Sequence, residues 1–190
     1  MQTPPSLPLK KPKTFMLLGV GLLILGIFYV LGLMMNGVML AIPAMREQNP
    51  ALRLLDQDAT YAAIHYASLV LNGFLGVVAI VAGIGLMKSR NWGRMLGITW
   101  AAVTILSTPL GLWVTTKYVQ PATAAEMQKE MSKSGAPAEV GDTILKITNV
   151  LTYAFLFIWV VFCIVMIIFL SRDKMKAWCR LQETQTQVPG

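Results

Sequence analysis

The chain alternates between long apolar stretches and shorter polar segments. Each of the four apolar stretches is at least 22 residues long and contains no Asp, Glu, Lys or Arg. About 20 helical residues cross the hydrocarbon core of a bilayer, which is about 30 Å thick. The sequence therefore predicts an all-α membrane protein with one domain, 15–170, folded as a bundle of four transmembrane helices. The predicted spans are 15–42, 61–87, 95–116 and 147–170.

The residues on either side of this domain form two polar tails. The N-terminal tail, residues 1–14, contains four prolines and three lysines and has no apolar periodicity. It is predicted to be disordered. The C-terminal tail, residues 171–190, begins as a basic amphipathic segment that we expect to continue span four along the membrane interface.

Each of the two long loops, 43–60 and 117–146, is predicted to hold one short helix. The Asn-Pro pair at 49–50 is a helix-start signal, and the first helix runs to about Leu55. A proline also opens the second helix, 121–133. These helices could cap the bundle or lie on the membrane surface.

Positive charge is concentrated on one side of the predicted bundle. The two tails and the turn between spans two and three carry ten Lys and Arg residues against two acidic ones. The two long loops carry six basic and seven acidic residues. Because basic residues favour the cytoplasmic side, we expect both termini and the turn in the cytoplasm and both loops outside. This arrangement accounts for the net charge of +7, so no nucleic-acid partner is expected.

Small and hydrogen-bonding residues recur at helical spacing on the first three spans. Such residues let transmembrane helices approach closely. The stripes on spans two and three could meet each other, or both could face the glycines of span one. They could also line a polar groove for a substrate or a lipid. The predicted packing face consists of Gly19, Gly26, Ser68, Asn72, Gly76, Ala79, Gly83, Gly97, Ala101, Thr104, Thr108 and Gly111.

Candidate catalytic and cofactor-binding residues are few. His65 is the single histidine, so one chain cannot supply two histidine ligands to a haem. Asp56 and Asp58 could join His65 around a divalent cation, but helix capping by Asp58 also explains that residue. We expect no cofactor, no metal site and no enzymatic activity.

The turn between spans two and three has a distinctive sequence. Lys88, Arg90 and Arg94 surround Trp92, a combination that can bind anionic lipid headgroups or simply fix the topology. With the flanking glycines, the turn has the pattern K-x-R-x-W-[AG]-R-x-L-[GA]-I. It resembles many small, uncharacterised four-span proteins of the bacterial inner membrane. The resemblance implies this architecture and a bacterial origin, and it assigns no catalytic residue.

The distribution of charge also bears on function. Ion-coupled transporters usually keep ionisable residues within the membrane, and the predicted spans hold no acidic or basic residue apart from His65. We therefore expect a non-catalytic accessory or scaffolding subunit of a membrane complex, or a bundle that associates with itself. The alternative is an oligomeric pore or transporter for a neutral or lipid-like substrate.

Overall fold

The computed structural model describes residues 13–134, 138–173 and 175–179, and in these ranges the chain is almost entirely helical. Disorder was predicted for residues 1–14, of which Lys13 and Thr14 begin the first helix instead. Residues 1–12 and the end of the C-terminal tail, 180–190, lie outside the described residues. The helices are α1 Lys13–Ala41, α2 Pro43–Gln48, α3 Pro50–Gln57, α4 Ala59–Met87, α5 Asn91–Val114, α6 Gln120–Ser134 and α7 Ala138–Ser171, with a π-helical turn at Thr115–Val119.

Four of these helices are long and apolar enough to cross a membrane, namely α1, α4, α5 and α7. The prediction of an all-α bundle with four transmembrane helices is thereby confirmed. The boundaries agree closely for the first two spans, whereas α5 begins four residues earlier than expected, at Asn91. The earlier start follows from the tight connection to α4, which leaves only residues 88–90 outside the two helices.

Two predicted helix caps are present between α2 and α4. The side chain of Asn49 accepts a hydrogen bond from the amide of Ala51 at 3.0 Å, at the start of α3. The side chain of Asp58 accepts from the amides of Thr60 and Tyr61 at 2.8 and 2.9 Å, and so caps α4. These bonds satisfy amides that the helix itself cannot, which fixes both starting points.

The helix expected at 121–133 is present as α6, but the described residues on either side of it, expected to be loop, are helical as well. Helix α5 continues through the π-helical turn into α6, and α7 begins at Ala138 rather than near 147. Pro121 lacks an amide hydrogen and would clash with the carbonyl four residues before it in a regular helix. The wider π-helical turn, closed by the Gln120 amide on the Thr115 carbonyl, lets the chain pass this proline without ending the helix.

The turn between α4 and α5 ends α4 with a residue in the left-handed region. Ser89 has φ of 55°. The amide of Arg90 donates to the carbonyl of Gly85, and the amide of Ser89 donates to the carbonyl of Leu86. This is the Schellman pattern, in which glycine usually occupies the position of Ser89. It reverses the chain in three residues and makes α4 and α5 close antiparallel neighbours.

The four long helices pack in the order α1, α4, α5, α7, so that α1 and α7 are the two ends of the series. A core cluster containing Leu22, Leu86, Trp100 and Leu170, all fully buried, closes the bundle at the end that holds the 88–90 turn. We call this the turn end. A second cluster lies at the opposite end, where Leu52 and Leu55 of α3 pack with Tyr61 of α4. We call this the α3/α6 end.

Candidate functional site

A groove of about 960 Å³ opens on the side of the bundle between α1 and α7. All four long helices contribute to it. The exposed rings of Phe28 and Phe155 lie at its edges, on α1 and α7. Its lining is Leu25, Phe28, Tyr29, Gly32, Leu33, Asn36, Leu69, Asn72, Thr108, Gly111, Leu112, Thr115, Thr148, Leu151, Thr152, Phe155, Leu156 and Trp159.

The register of the helices gives the depth of each lining residue. Gly97 faces both Leu22 and Leu170, which places those residues at one level near the turn end. At the other end of the bundle, the side chain of Gln120 donates to that of Asn149 at 2.9 Å. The groove begins above the first level and extends towards the second. Its lining therefore runs from Leu25 and Tyr29 near the closed core to Asn36, Thr115, Thr148 and Thr152 near the α3/α6 end.

Aromatic rings form the deep part of the groove. Tyr29 and Trp159 both contact Trp100 edge to face, with ring centroids 6.3 and 6.2 Å apart. Phe155 stacks on Trp159 at 6.4 Å. Trp100 is fully buried behind these rings, and its indole nitrogen has no hydrogen-bond partner in the described part of the chain. Edge-to-face and stacked rings are mutually favourable arrangements, so the rings stabilise one another at the floor of the groove.

The polar groups of the groove are neutral. The hydroxyls of Thr108, Thr115 and Thr152 each donate to a carbonyl four residues earlier in their own helix, at 2.8–2.9 Å. The amide nitrogen of Asn36 donates in the same way to the Gly32 carbonyl at 2.8 Å. With their protons donated, the three threonine hydroxyls can only accept from a ligand, whereas Asn36 keeps its carbonyl oxygen and one amide N–H.

Asn72 differs from these residues. It lies on α4 beside Gly73, where a Cβ would come within 2.9 Å of Leu33, so it is at mid-depth in the groove. Its side chain is exposed to the groove and makes no hydrogen bond within the described ranges. Asn72 therefore keeps a full set of donors and acceptors for a ligand.

The predicted packing face divides between two places. The glycines of α1 and α4 meet each other: a Cβ on Gly83 would lie 2.7 Å from the Gly19 carbonyl oxygen, and one on Gly26 would lie 2.7 Å from that of Gly76. The stripe of α4 thus faces α1 rather than the stripe of α5. The other members lie as follows: Ala79, Gly97, Ala101 and Thr104 are buried in the bundle, Ser68 is half-buried, and Asn72, Thr108 and Gly111 line the groove.

The four residues predicted to bind headgroups have different surroundings. Lys88 and Trp92 are exposed and Arg90 is half-buried, so all three can reach the membrane surface. Arg94 departs from the prediction because it is only 7% exposed. Its guanidinium donates to the Leu170 carbonyl and to the Asn91 side chain, both at 3.1 Å. The last carbonyls of a helix lack partners within it and carry its negative partial charge, so Arg94 caps α7 instead.

Sequence reasoning did not identify most of the groove. Thr148, Thr152, Phe155 and Trp159 follow one another at three- and four-residue steps, which is a detectable helical face on α7. Tyr29 carries no comparable signal. The candidate cation group of Asp56, Asp58 and His65 is not brought together as a site: the Asp58 side chain caps α4 and that of Asp56 pairs with Arg46. Within the described ranges, no three His, Cys, Asp or Glu residues are placed to hold a metal ion.

No known protein family, no curated protein and no solved structure matches the chain. The resemblance of the 83–98 segment to small four-span proteins therefore stays a prediction. The geometry is that of an integral membrane protein with an uncharged groove that opens at the side of the bundle.

Proposed function

We propose that this membrane protein is a non-catalytic accessory or scaffolding subunit that meets partner helices through the outward face of α7. The observation that carries the proposal is the large exposed apolar surface of α7, which α1 matches in extent although the glycines of α1 are already used against α4. Helix α7 packs mainly against α5 and α6, while α4 packs extensively against both α1 and α5. Much of the α7 circumference, including Val150, Phe157 and Ile158, is left exposed.

The internal use of the small residues supports this choice of surface. Close helix contacts in membranes usually form where small residues allow backbones to approach. Here the glycines of α1 and α4 already contact each other inside one bundle. A partner would therefore meet bulky apolar side chains on α7, and the association would depend on shape and van der Waals contact.

The character of the groove supports a non-catalytic role. All 18 lining residues are uncharged, so the groove offers neither a carboxylate nor an imidazole as a general base. Two of the carboxylates at the α3/α6 end are paired with cations, since Asp56 pairs with Arg46 and Glu126 with Arg53, the latter at 2.7 Å. These pairs stabilise the α2–α3 segment and its contact with α6.

The alternative of a pore or transporter for a neutral or lipid-like substrate is favoured by the neutral groove. The closed turn end of the bundle argues against a pore or transporter. Leu22, Leu86 and Trp100 are fully buried, and in this conformation they close the described part of the bundle between the groove and that end. A transport role would require these side chains to separate.

The test is extraction of the tagged protein from its native membrane in a mild detergent, followed by mass spectrometry of the intact particle. A photoreactive residue replaces Phe157 on α7 or, as the matched control, Phe74 on α4; both side chains are strongly exposed. We expect a stoichiometric partner protein and a cross-link from position 157 alone. A strictly monomeric particle without adducts at 157 would disprove the proposal.

A further inference from the structure

We propose that the groove binds a neutral glycerolipid, with apolar tails, ester carbonyls and an uncharged glycerol headgroup that carries a free hydroxyl. This site is separate from the outward face of α7, so the inference stands independently of the proposed subunit role. It is argued from size, from the order of polar and apolar groups along the groove, and from hydrogen-bonding capacity.

The size of the groove favours a lipid over a partner helix. A helix with its side chains is about 10–12 Å across, so 960 Å³ would accommodate roughly 8–12 Å of it, about two turns or fewer. A transmembrane helix has about 20 residues, most of which would remain outside. The same volume lies at the upper end of the roughly 300–1,000 Å³ typical of small-ligand sites.

The order of lining groups along the groove matches an amphiphile. The deep part is formed by Tyr29, Trp159 and Leu25, which offer rings and methyl groups to a hydrocarbon chain. The polar groups Thr115, Thr148 and Thr152 lie at the opposite end of the groove, near the end of the transmembrane segments. A lipid placed with its tail towards the core would bring its headgroup to these threonines.

The hydrogen-bonding capacity of the lining residues further limits which headgroups the groove can bind. Because the hydroxyls of Thr115 and Thr152 already donate to their own helices, they can only accept from a ligand. The carbonyl oxygen of Asn36 adds a third acceptor. A free hydroxyl on the ligand would supply a donor to these oxygens. The free amide of Asn72, at mid-depth, can in turn donate to an ester carbonyl below the headgroup.

The absence of charge from the lining argues against a phospholipid. A phosphate drawn into a groove between transmembrane helices loses hydration and needs a cation or several donors in return. None of the 18 lining residues is a lysine or arginine, and the hydroxyls of Thr115 and Thr152 present oxygens rather than donors. The groove therefore offers an anionic headgroup no cation and few donors to replace its hydration.

The experiment compares two photoreactive lipids with identical acyl chains, a diacylglycerol and a phosphatidylglycerol, on the purified full chain in nanodiscs. Mass spectrometry locates the adducts. We expect the diacylglycerol probe to label the groove segments 25–36 and 148–159, and the phosphatidylglycerol probe to label them weakly. Asn72→Leu, which removes one hydrogen-bonding side chain, should reduce labelling about three- to tenfold.

Two glycines on α1 provide a matched pair of blocking and control variants. A Cβ added to either Gly32 or Gly21 would meet no neighbouring atom within 4 Å, so both positions tolerate a side chain, but only Gly32 lines the groove. Gly32→Leu should abolish labelling of the groove, whereas Gly21→Leu should leave it unchanged. Thermal unfolding of each variant establishes that it is folded.

Three results would overturn the proposal. The first is labelling of the groove by the phosphatidylglycerol probe at least as strongly as by the diacylglycerol probe. The second is equal labelling of the Gly32→Leu and Gly21→Leu variants. The third is diacylglycerol adducts confined to segments outside the groove. Because only purified chain and lipid are present, these results do not depend on whether a partner subunit exists.

Discussion

Arg94 shows how one side chain can act differently from its neighbours in a basic turn. Lys88 and Arg90 remain at the surface, but Arg94 points into the bundle and joins the start of α5 to the end of α7. The bond crosses 76 positions of sequence. A charge count assigns all three residues to the membrane surface, since it contains no information about which side of α5 faces another helix.

The Arg94 cap can be tested by replacing its guanidinium. Arg94→Leu leaves the buried Leu170 carbonyl without this donor, and we expect a loss of about 1–3 kcal/mol of stability. Arg94→Lys keeps the charge near the end of α7 and should lose less. Unfolding in detergent measures both. Arg90→Leu is the control, because it removes a cation from the same turn; equal stability of Arg94→Leu and Arg90→Leu would contradict the assignment.

Among the helices, the contact between α1 and α4 depends directly on small residues. At Gly83 a Cβ would meet backbone atoms of α1, namely the Gly19 oxygen at 2.7 Å and the Leu23 nitrogen at 2.9 Å. Backbone atoms within a helix cannot move away from a new methyl group, whereas the end of a flexible side chain can. The two helices would have to separate, with loss of the contacts along their shared face.

This contact predicts opposite effects of the same substitution at two glycines. Gly83→Ala should destabilise the bundle by about 1–3 kcal/mol through overpacking. Gly21→Ala enters open space and should stabilise α1 by up to about 1 kcal/mol, since alanine favours helix over glycine. Detergent unfolding curves of the two variants provide the comparison. A Gly83→Ala protein as stable as the unsubstituted chain would show that α1 and α4 are not so closely packed.

The sequence predicted helices better where one residue type decides the outcome than where several helices act together. Asp58 caps α4 as expected because a carboxylate before an apolar run has one favourable role. Pro121 is compatible with either a helix start or passage through a π-helical turn, and only the packing of α6 on α7 distinguishes them. The groove was missed for a related reason. Tyr29 of α1 and Trp159 of α7 line the same groove only because α1 and α7 are held apart on either side of it.

At the scale of the whole molecule, the cations at the turn end define an orientation. Lys88, Arg90, Arg172 and Lys176 all belong to this end of the bundle, while the ion pairs of Arg46 and Arg53 with acidic partners lie at the other. Positive residues favour the cytoplasmic side. We therefore propose that the turn end faces the cytoplasm of a bacterial inner membrane and that α3 and α6 face outward.

Cysteine labelling tests this orientation. Lys88→Cys and Lys133→Cys place exposed thiols at opposite ends, and the natural Cys163 and Cys179 are fully buried. A membrane-impermeant maleimide should label position 133 in intact cells and position 88 only after the membrane is opened. The reverse pattern would invert the proposed topology.

The sideways opening of the groove determines how any occupant would reach it. A molecule that enters between α1 and α7 arrives by diffusion within the bilayer and never crosses the aqueous phase. Occupancy then depends on the mole fraction of that lipid among its neighbours, and bulk lipid is the competitor. Dilution into excess detergent would empty the groove without unfolding the protein, whereas a lipid nanodisc of chosen composition would set its occupancy directly.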